Sequence, residues 1–173
     1  MNIRQIQTPN QELGRRGYQV AGTCIHISEG SLASVISEFT SSKTQKSTHF
    51  AFGRDGEKVQ FAKVEDTAWG QGRVIRPTAA LVLQRRDVNP NLFLISQENA
   101  GFCGDGLTDA QYLANAETIY DNHTALGLPI NRQTVIGHNQ INAGKSCPCN
   151  VDFERLISLA LKEHIEVHPL SWR

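Results

Sequence analysis

Neither sign of charge prevails in this chain of 173 residues, where 17 Lys and Arg stand against 17 Asp and Glu. A surface so balanced carries no basic stripe to neutralise phosphates, so nucleic acid is not an expected partner. Long apolar runs are also missing. Each is broken by polar residues short of the roughly 18 to 20 needed to cross a bilayer, so membrane insertion is not expected. The N-terminal stretch M-N-I-R-Q-I-Q-T-P lacks an apolar signal core, which predicts cytoplasmic synthesis without export by the general pathway. Cysteine is scarce, four residues without even spacing, a pattern that favours free thiols or metal ligation over a disulfide framework. No repeat, linker or low-complexity tract divides the chain. The expectation is one domain over residues 1–173, long enough to bury a full core.

What is present alternates between strand and helix signals, which favours an α/β fold with helices packed on a sheet. Leu32, Val35, Ile36 and Phe39 recur at helical spacing after Ser31, predicting a first helix. Residues 50–52 and 59–61, joined across Arg54-Asp55-Gly56, read as a hairpin, because Asp-Gly accepts the positive φ of a tight turn. Residues 91–95 are a further strand candidate. Thr108 and Gln111 form a capping-box pattern ahead of Tyr112, Ala116, Ile119, His123 and Leu126, which share one face, and Gly127 and Pro129 end that helix. A last helix is predicted over residues 152–163, with Phe153, Leu156, Ile157, Ala160 and Leu161 inward. Residues 77–86 are ambiguous between strand and helix.

The chemistry concentrates in V-I-G-H-N-Q-I-N-A-G-K-S-C-P-C at residues 135–149. A histidine follows a short apolar strand, then come a lysine and a cysteine held by proline. Imidazole and thiolate are good zinc ligands, and a zinc hydrolase needs a third protein ligand plus one open position for water. A second β-branched run ends in His26 and the polar turn Ser28-Glu29-Gly30. Two adjacent strands would bring His26 and His138 together, with Cys147 closing the triad. Cys149 is an alternative third ligand. His49 is expected to pack behind the site or line it, His123 to be a hydrogen-bonded core histidine, His164 and His168 to be tail residues, and Cys24 and Cys103 to be buried thiols.

The order of these elements resembles the zinc-dependent N-acetylmuramoyl-L-alanine amidases, a family that includes phage lysins, recycling amidases and peptidoglycan recognition proteins. Four blocks carry the resemblance: C-I-H-I-S-E-G at 24–30, S-T-H-F-A-F-G-R-D-G at 47–56, A-W-G-Q-G at 68–72, and Gly137-His138 followed by Lys145, Cys147 and Pro148. It covers roughly residues 18–160. The resemblance implies a single mixed central β-sheet flanked by helices and one zinc ion held by His26, His138 and Cys147. The implied substrate is peptidoglycan or a muropeptide, cut at the amide between N-acetylmuramic acid and L-alanine. It puts Lys145 in the place of the oxyanion-stabilising lysine, and Trp69 on the wall of the substrate groove.

Two departures from the family pattern matter. Thr48 stands where lysin-like members carry a tyrosine. Ser96 stands at the first glutamate of the recycling-type strand, with Glu98 at the second, so Thr48 and Ser96 are expected to meet substrate while Glu98 serves as general base and later acid. Gly70 replaces a usual histidine. The expected role is that of a phage or prophage endolysin that reaches the wall after release, without an appended wall-binding module. The alternatives are a cytosolic muropeptide-recycling amidase, a non-catalytic peptidoglycan-binding module of the same fold, and a cysteine hydrolase using Cys147 with His138.

Overall fold

The computed structural model describes residues 3–167, with side-chain surroundings through residue 162. Its strands in chain order are β1 (Ile3–Gln5), β2 (Gln11–Glu12), β3 (Gly22–Ile27), β4 (Phe50–Phe52), β5 (Lys58–Gln60), β6 (Thr67–Ala68), β7 (Leu94–Asn99) and β8 (Val135–Gly137). The helices are α1 (Leu32–Thr40), α2 (Ala80–Leu83), α3 (Asp109–Leu126) and α4 (Phe153–Val167). Six strands form one mixed sheet in the order β1-β5-β4-β7-β3-β8, antiparallel only between β4 and β5, while β2 and β6 make a separate pair. The mixed sheet flanked by helices is the expected α/β class. Among the described residues no helix is long and apolar enough to cross a membrane.

Side-chain alternation along β3 sorts the two faces. Ile25 and Ile27 pack with Tyr112, Ala116 and Ile119 of α3 and with Leu156, Ile157 and Ala160 of α4. On the other face Ala51, Val59 and Phe61 pack under Val35 and Phe39 of α1, and Cys24 joins Leu94, Ile136 and the α2 residues Leu81 and Val82. His26 belongs to this second face because it lies two residues beyond Cys24.

Local chemistry explains most boundaries. Ser31 caps α1 by accepting the Ser34 N–H at 3.2 Å. Thr108 and Gln111 cap α3 reciprocally, and Gly127 ends it in the left-handed region at φ 66°, where an L side chain is strained. Gly56, at φ 87°, closes the β4–β5 turn.

The sequence reading of residues 91–95 shifts. Pro90–Leu92 form a 3-10 turn, because the Asn89 side chain accepts the Asn91 N–H and Pro90 starts the turn, so the strand begins at Leu94. Leu126 and Leu161 point outward, 42% and 49% exposed, at the edges of their helices' apolar stripes. The ambiguous stretch 77–86 contains the short α2. The tail role expected for His164 and His168 concerns a side chain and a residue outside those described.

Candidate metal centre

Parallel register sets the site. His26 pairs with Glu98 across β3 and β7, Glu98 pairs with Ala51 across β7 and β4, and Ile25 pairs with Gly137 across β3 and β8. His138, the next residue after Gly137, therefore continues the row opposite His26. One transverse line at the carboxyl ends of the parallel strands thus carries His138, His26 and Glu98 on one face. Crevices beyond such strand ends are the usual ligand sites of α/β sheets.

His26 Nδ1 and His138 Nδ1 face each other at 3.2 Å, and Cys147 Sγ lies 4.0 Å from His26 Nδ1. All three donor atoms fall within 4.8 Å of one another. A tetrahedral zinc ion, with bonds of about 2.0 Å to nitrogen and 2.3 Å to sulfur, separates two nitrogens by about 3.3 Å and a nitrogen from a sulfur by about 3.6 Å. The nitrogen pair at 3.2 Å matches that template, and the sulfur at 4.0 Å stands slightly wide of it.

Burial and the neighbouring His138 hold His26 well below the usual imidazole range. Burial, then the Lys145 charge, lowers His138, against the opposing Gln71 backbone. Both rings are therefore uncharged near neutral pH, each keeping one nitrogen lone pair for a cation. Burial and the Glu98 charge push the Cys147 thiol up to about 12, although it accepts the Ile27 N–H at 3.2 Å. That is the reverse of the lowered pKa a nucleophilic cysteine needs. A divalent cation would itself drive off the proton.

Gln71, which the sequence reading did not single out, completes the centre. Its Oε1 lies 3.2 Å from His26 Nε2 and accepts that N–H, which leaves Nδ1 as the lone-pair atom. Such an outer partner fixes tautomer and ring orientation. Gln71 is held in turn: Asn91 Oδ1 accepts the backbone N–H groups of Gly70 and Gln71 at 3.1 and 2.9 Å. The only sequence signal was a polar residue inside the A-W-G-Q-G block, now 1% exposed.

A cavity of about 780 Å³ opens over the triad, lined among others by His26, His138, Cys147, Glu98, Trp69 and Lys145. The expected metal ligands, general base, oxyanion partner and groove wall thus share one pocket. Burial, and then the Glu38 charge, raises the Glu98 carboxyl to about 8, with Lys46 opposing. Lys145 lies close enough to His138 and Cys147 for its charge to act on both.

Thr48 and Ser96 do not reach this pocket, contrary to expectation. They are 0% and 1% exposed, and the Thr48 hydroxyl donates to the Ser96 carbonyl at 2.9 Å. The 69–71 segment lies on top of them: a Cβ at Gly70 would sit 2.9 Å from the Ser47 carbonyl and 3.0 Å from Ser96 Oγ. A side chain at Gly70 has no room.

Two histidines outside the centre lie as expected. His123 is buried between Thr23 Oγ1 at 3.0 Å and the Pro129 carbonyl at 2.9 Å. His49 packs behind the site, its Nδ1 accepting the Ser96 N–H at 3.0 Å, with an Arg15 guanidinium nitrogen 2.8 Å from Nε2. Arg15, also unforeseen, is 6% exposed and donates to the carbonyls of Val64, Asn91 and Leu94. It fastens the loops beneath the centre. Cys24 is a buried thiol as expected, but Cys103 and Cys149 are half-buried and joined by a disulfide. Cys149 is thereby removed as an alternative ligand.

A family model described as N-acetylmuramoyl-L-alanine amidase matches residues 16–150. Among solved structures, AmpD, crystallised as a selenomethionine derivative, is similar at 21% identity and TM-score 0.74, with 91% of this chain and 93% of that one covered. The hydrolase AmiA from Staphylococcus aureus, solved with its ligand, shares 15% identity at TM-score 0.66, covering 99% and 88%. The N-acetylmuramoyl-L-alanine amidase LysC from Clostridium intestinale shares 12% at TM-score 0.63, covering 91% and 96%. At these identities the structural likeness establishes the fold. No curated protein matches the chain in sequence.

Proposed function

Because the chain belongs to the N-acetylmuramoyl-L-alanine amidase family, we propose that it hydrolyses the amide joining N-acetylmuramic acid to L-alanine in peptidoglycan, with one zinc ion held by His26, His138 and Cys147. The observation that carries this reading is the convergence of two Nδ1 atoms and one Sγ within 4.8 Å in the floor of the pocket. Three protein ligands leave a corner for solvent or substrate, whereas structural zinc sites close with four. Zinc, when bound, supplies Lewis acidity toward the carbonyl and acidifies water.

The chain's own residues supply the rest. An amide is a poor electrophile with a poor leaving group, so a proton must leave the attacking water and reach the departing amine. Glu98 handles that proton. Its half-buried carboxyl faces the pocket from the strand position beside His26, and a raised pKa keeps it near the working pH of a general acid–base group. A bound dication lowers that pKa toward the basic form. The Lys145 ammonium balances the oxyanion of the tetrahedral state, the state that catalysis must favour over the ground state. Trp69, half-buried on the rim, offers an apolar wall against which a sugar or peptide packs.

The cellular reading we favour is an endolysin that acts on the wall after release. The experiment is to give purified protein intact sacculi and, separately, soluble anhydromuropeptides, and to weigh the products. Release of stem peptide from sacculi supports the endolysin. Cleavage of fragments alone assigns a recycling amidase, and no cleavage of either by zinc-loaded protein leaves a binding module.

A further inference from the structure

Three chain segments meet beside the centre: two follow strands that carry proposed functional residues, His26 on β3 and Glu98 on β7, and the third contains Cys147. The turn at 28–30 follows β3, the segment at 101–104 follows β7, and the segment at 146–149, which includes Cys147, comes after the 3-10 turn at His138–Gln140 that follows β8. In the sheet β3 lies between β7 and β8, and Cys103 and Cys149 are joined across it. Cys103 is fixed from two further sides: its N–H donates to Glu29 Oε1 at 3.0 Å, and its sulfur lies 3.7 Å from Ser146 Oγ.

Two of the partners adopt backbone conformations that side chains disfavour. Glu29 has φ 56° and Cys149 φ 59°, in the left-handed region where a non-glycine residue is strained by about 1 kcal/mol or more. Glycine would occupy position 149 without that cost. A cysteine there, two residues from Cys147, is explained by what its sulfur does.

We propose that Cys103 and Cys149 form a reversible thiol–disulfide modification site, with a low-molecular-weight disulfide as co-reactant, whose oxidised state fastens the segment presenting Cys147. Both residues are half-buried, so a small reagent reaches them, while Cys24 is fully buried. One cysteine sulfur bonds to a sulfur of the small disulfide and displaces one thiol. The second cysteine then attacks the mixed disulfide, forming the Cys103–Cys149 bond and releasing the second thiol. The two cysteine protons end on the two released thiols; the protein loses two electrons and the small disulfide gains them.

The consequence for the metal rests on the reading of Cys147 as a ligand. The Cys147 carbonyl accepts the Asn139 N–H at 2.7 Å, and its sulfur accepts the Ile27 N–H, so the segment is tethered to the chain just after His138 and His26. Cutting the cross-link removes the covalent tie and leaves the sulfur to hydrogen bonds and packing. A less organised ligand binds more weakly.

The test uses the full chain, reduced with a phosphine that is then removed, and divided into samples with and without oxidised glutathione. Peptide mapping by mass is expected to find 103 linked to 149 in the oxidised sample, with Cys24 and Cys147 still open to alkylation after unfolding. Amide exchange over residues 139–149 is expected to slow on oxidation. Zinc affinity, by chelator competition, is expected to be at least tenfold tighter in the oxidised sample. Cys103→Ser and, independently, Cys149→Ser should match the reduced protein and ignore glutathione. Equal exchange in both states, or a link through Cys147, overturns the proposal. Two zinc ions per reduced chain also overturn it, since Glu29, Cys103 and Cys149 would then be a cation site. If the link forms and exchange slows but neither state binds zinc, the clamp stands and the amidase reading falls.

Discussion

Gln71 Oε1 accepts the Nε2–H of His26 at 3.2 Å, on the side of the ring away from His138. The amide thereby chooses the tautomer that turns a lone pair on Nδ1 toward the proposed cation. Replacing it with leucine, of similar size and no polarity, is expected to weaken zinc binding about 10- to 100-fold, measured by competition with a chromogenic chelator. Gln71→Glu should restore most of the affinity. Unchanged binding in Gln71→Leu would refute the orienting role.

Glu98→Gln preserves shape and removes the proton carrier. Turnover is expected to drop by about two to four orders of magnitude, with zinc content still one per chain. Near-normal turnover of a zinc-loaded Glu98→Gln protein would mean that another group moves the proton.

Chelation separates the zinc enzyme from a cysteine hydrolase. Activity is expected to disappear with the metal and to return when zinc is added back. The melting temperature should fall in the zinc-free protein, because a ligand present at about a thousand times its Kd stabilises by about 4 kcal/mol. A cysteine hydrolase would keep turning over in chelator.

Acid should unfold this protein through its buried histidines. Burial and the Arg15 charge lower His49 to about 3, against roughly 6.5 in an unfolded chain. The neutral ring is therefore the native one. Its stabilisation is fully present above pH 6.5 and is lost as pH falls from there toward 3, a loss of about 2 kcal/mol at pH 5 from this group. Urea midpoints at pH 7.5, 6 and 5 measure it. His49→Gln should be less stable at neutral pH but show a shallower decline, and an identical slope would assign the acid lability elsewhere.

The two histidines of the candidate centre were legible because periodicity reports strands, and strands carry their side chains in fixed rows. His26 ends an apolar run and His138 follows another, so pairing those runs was enough to place both. Gln71 and Arg15 were not legible: each sits in an aperiodic loop, and its role depends on a partner far along the chain, Asn91 for the first and His49 for the second. Thr48 and Ser96 erred in the opposite direction. Ser96 does lie on a strand, β7, and Thr48 just ahead of β4, yet nothing in the residues themselves shows that the 69–71 segment covers them. The Cys103–Cys149 bond spans 46 residues between two turns, and no spacing rule foresees it. Capping chemistry, by contrast, is local, and the Thr108–Gln111 box was visible in four letters.

The pairing of β3 with β8 covers only three residue pairs, yet it aims His138. Side chains in a strand alternate with period two, so deleting one residue from 135–137 would turn that imidazole through the sheet toward α3 and α4. Added or missing residues in the connection at 128–133 leave that parity unchanged. Evolution is thus free to vary the approach to β8 in length, but not the parity of the strand itself.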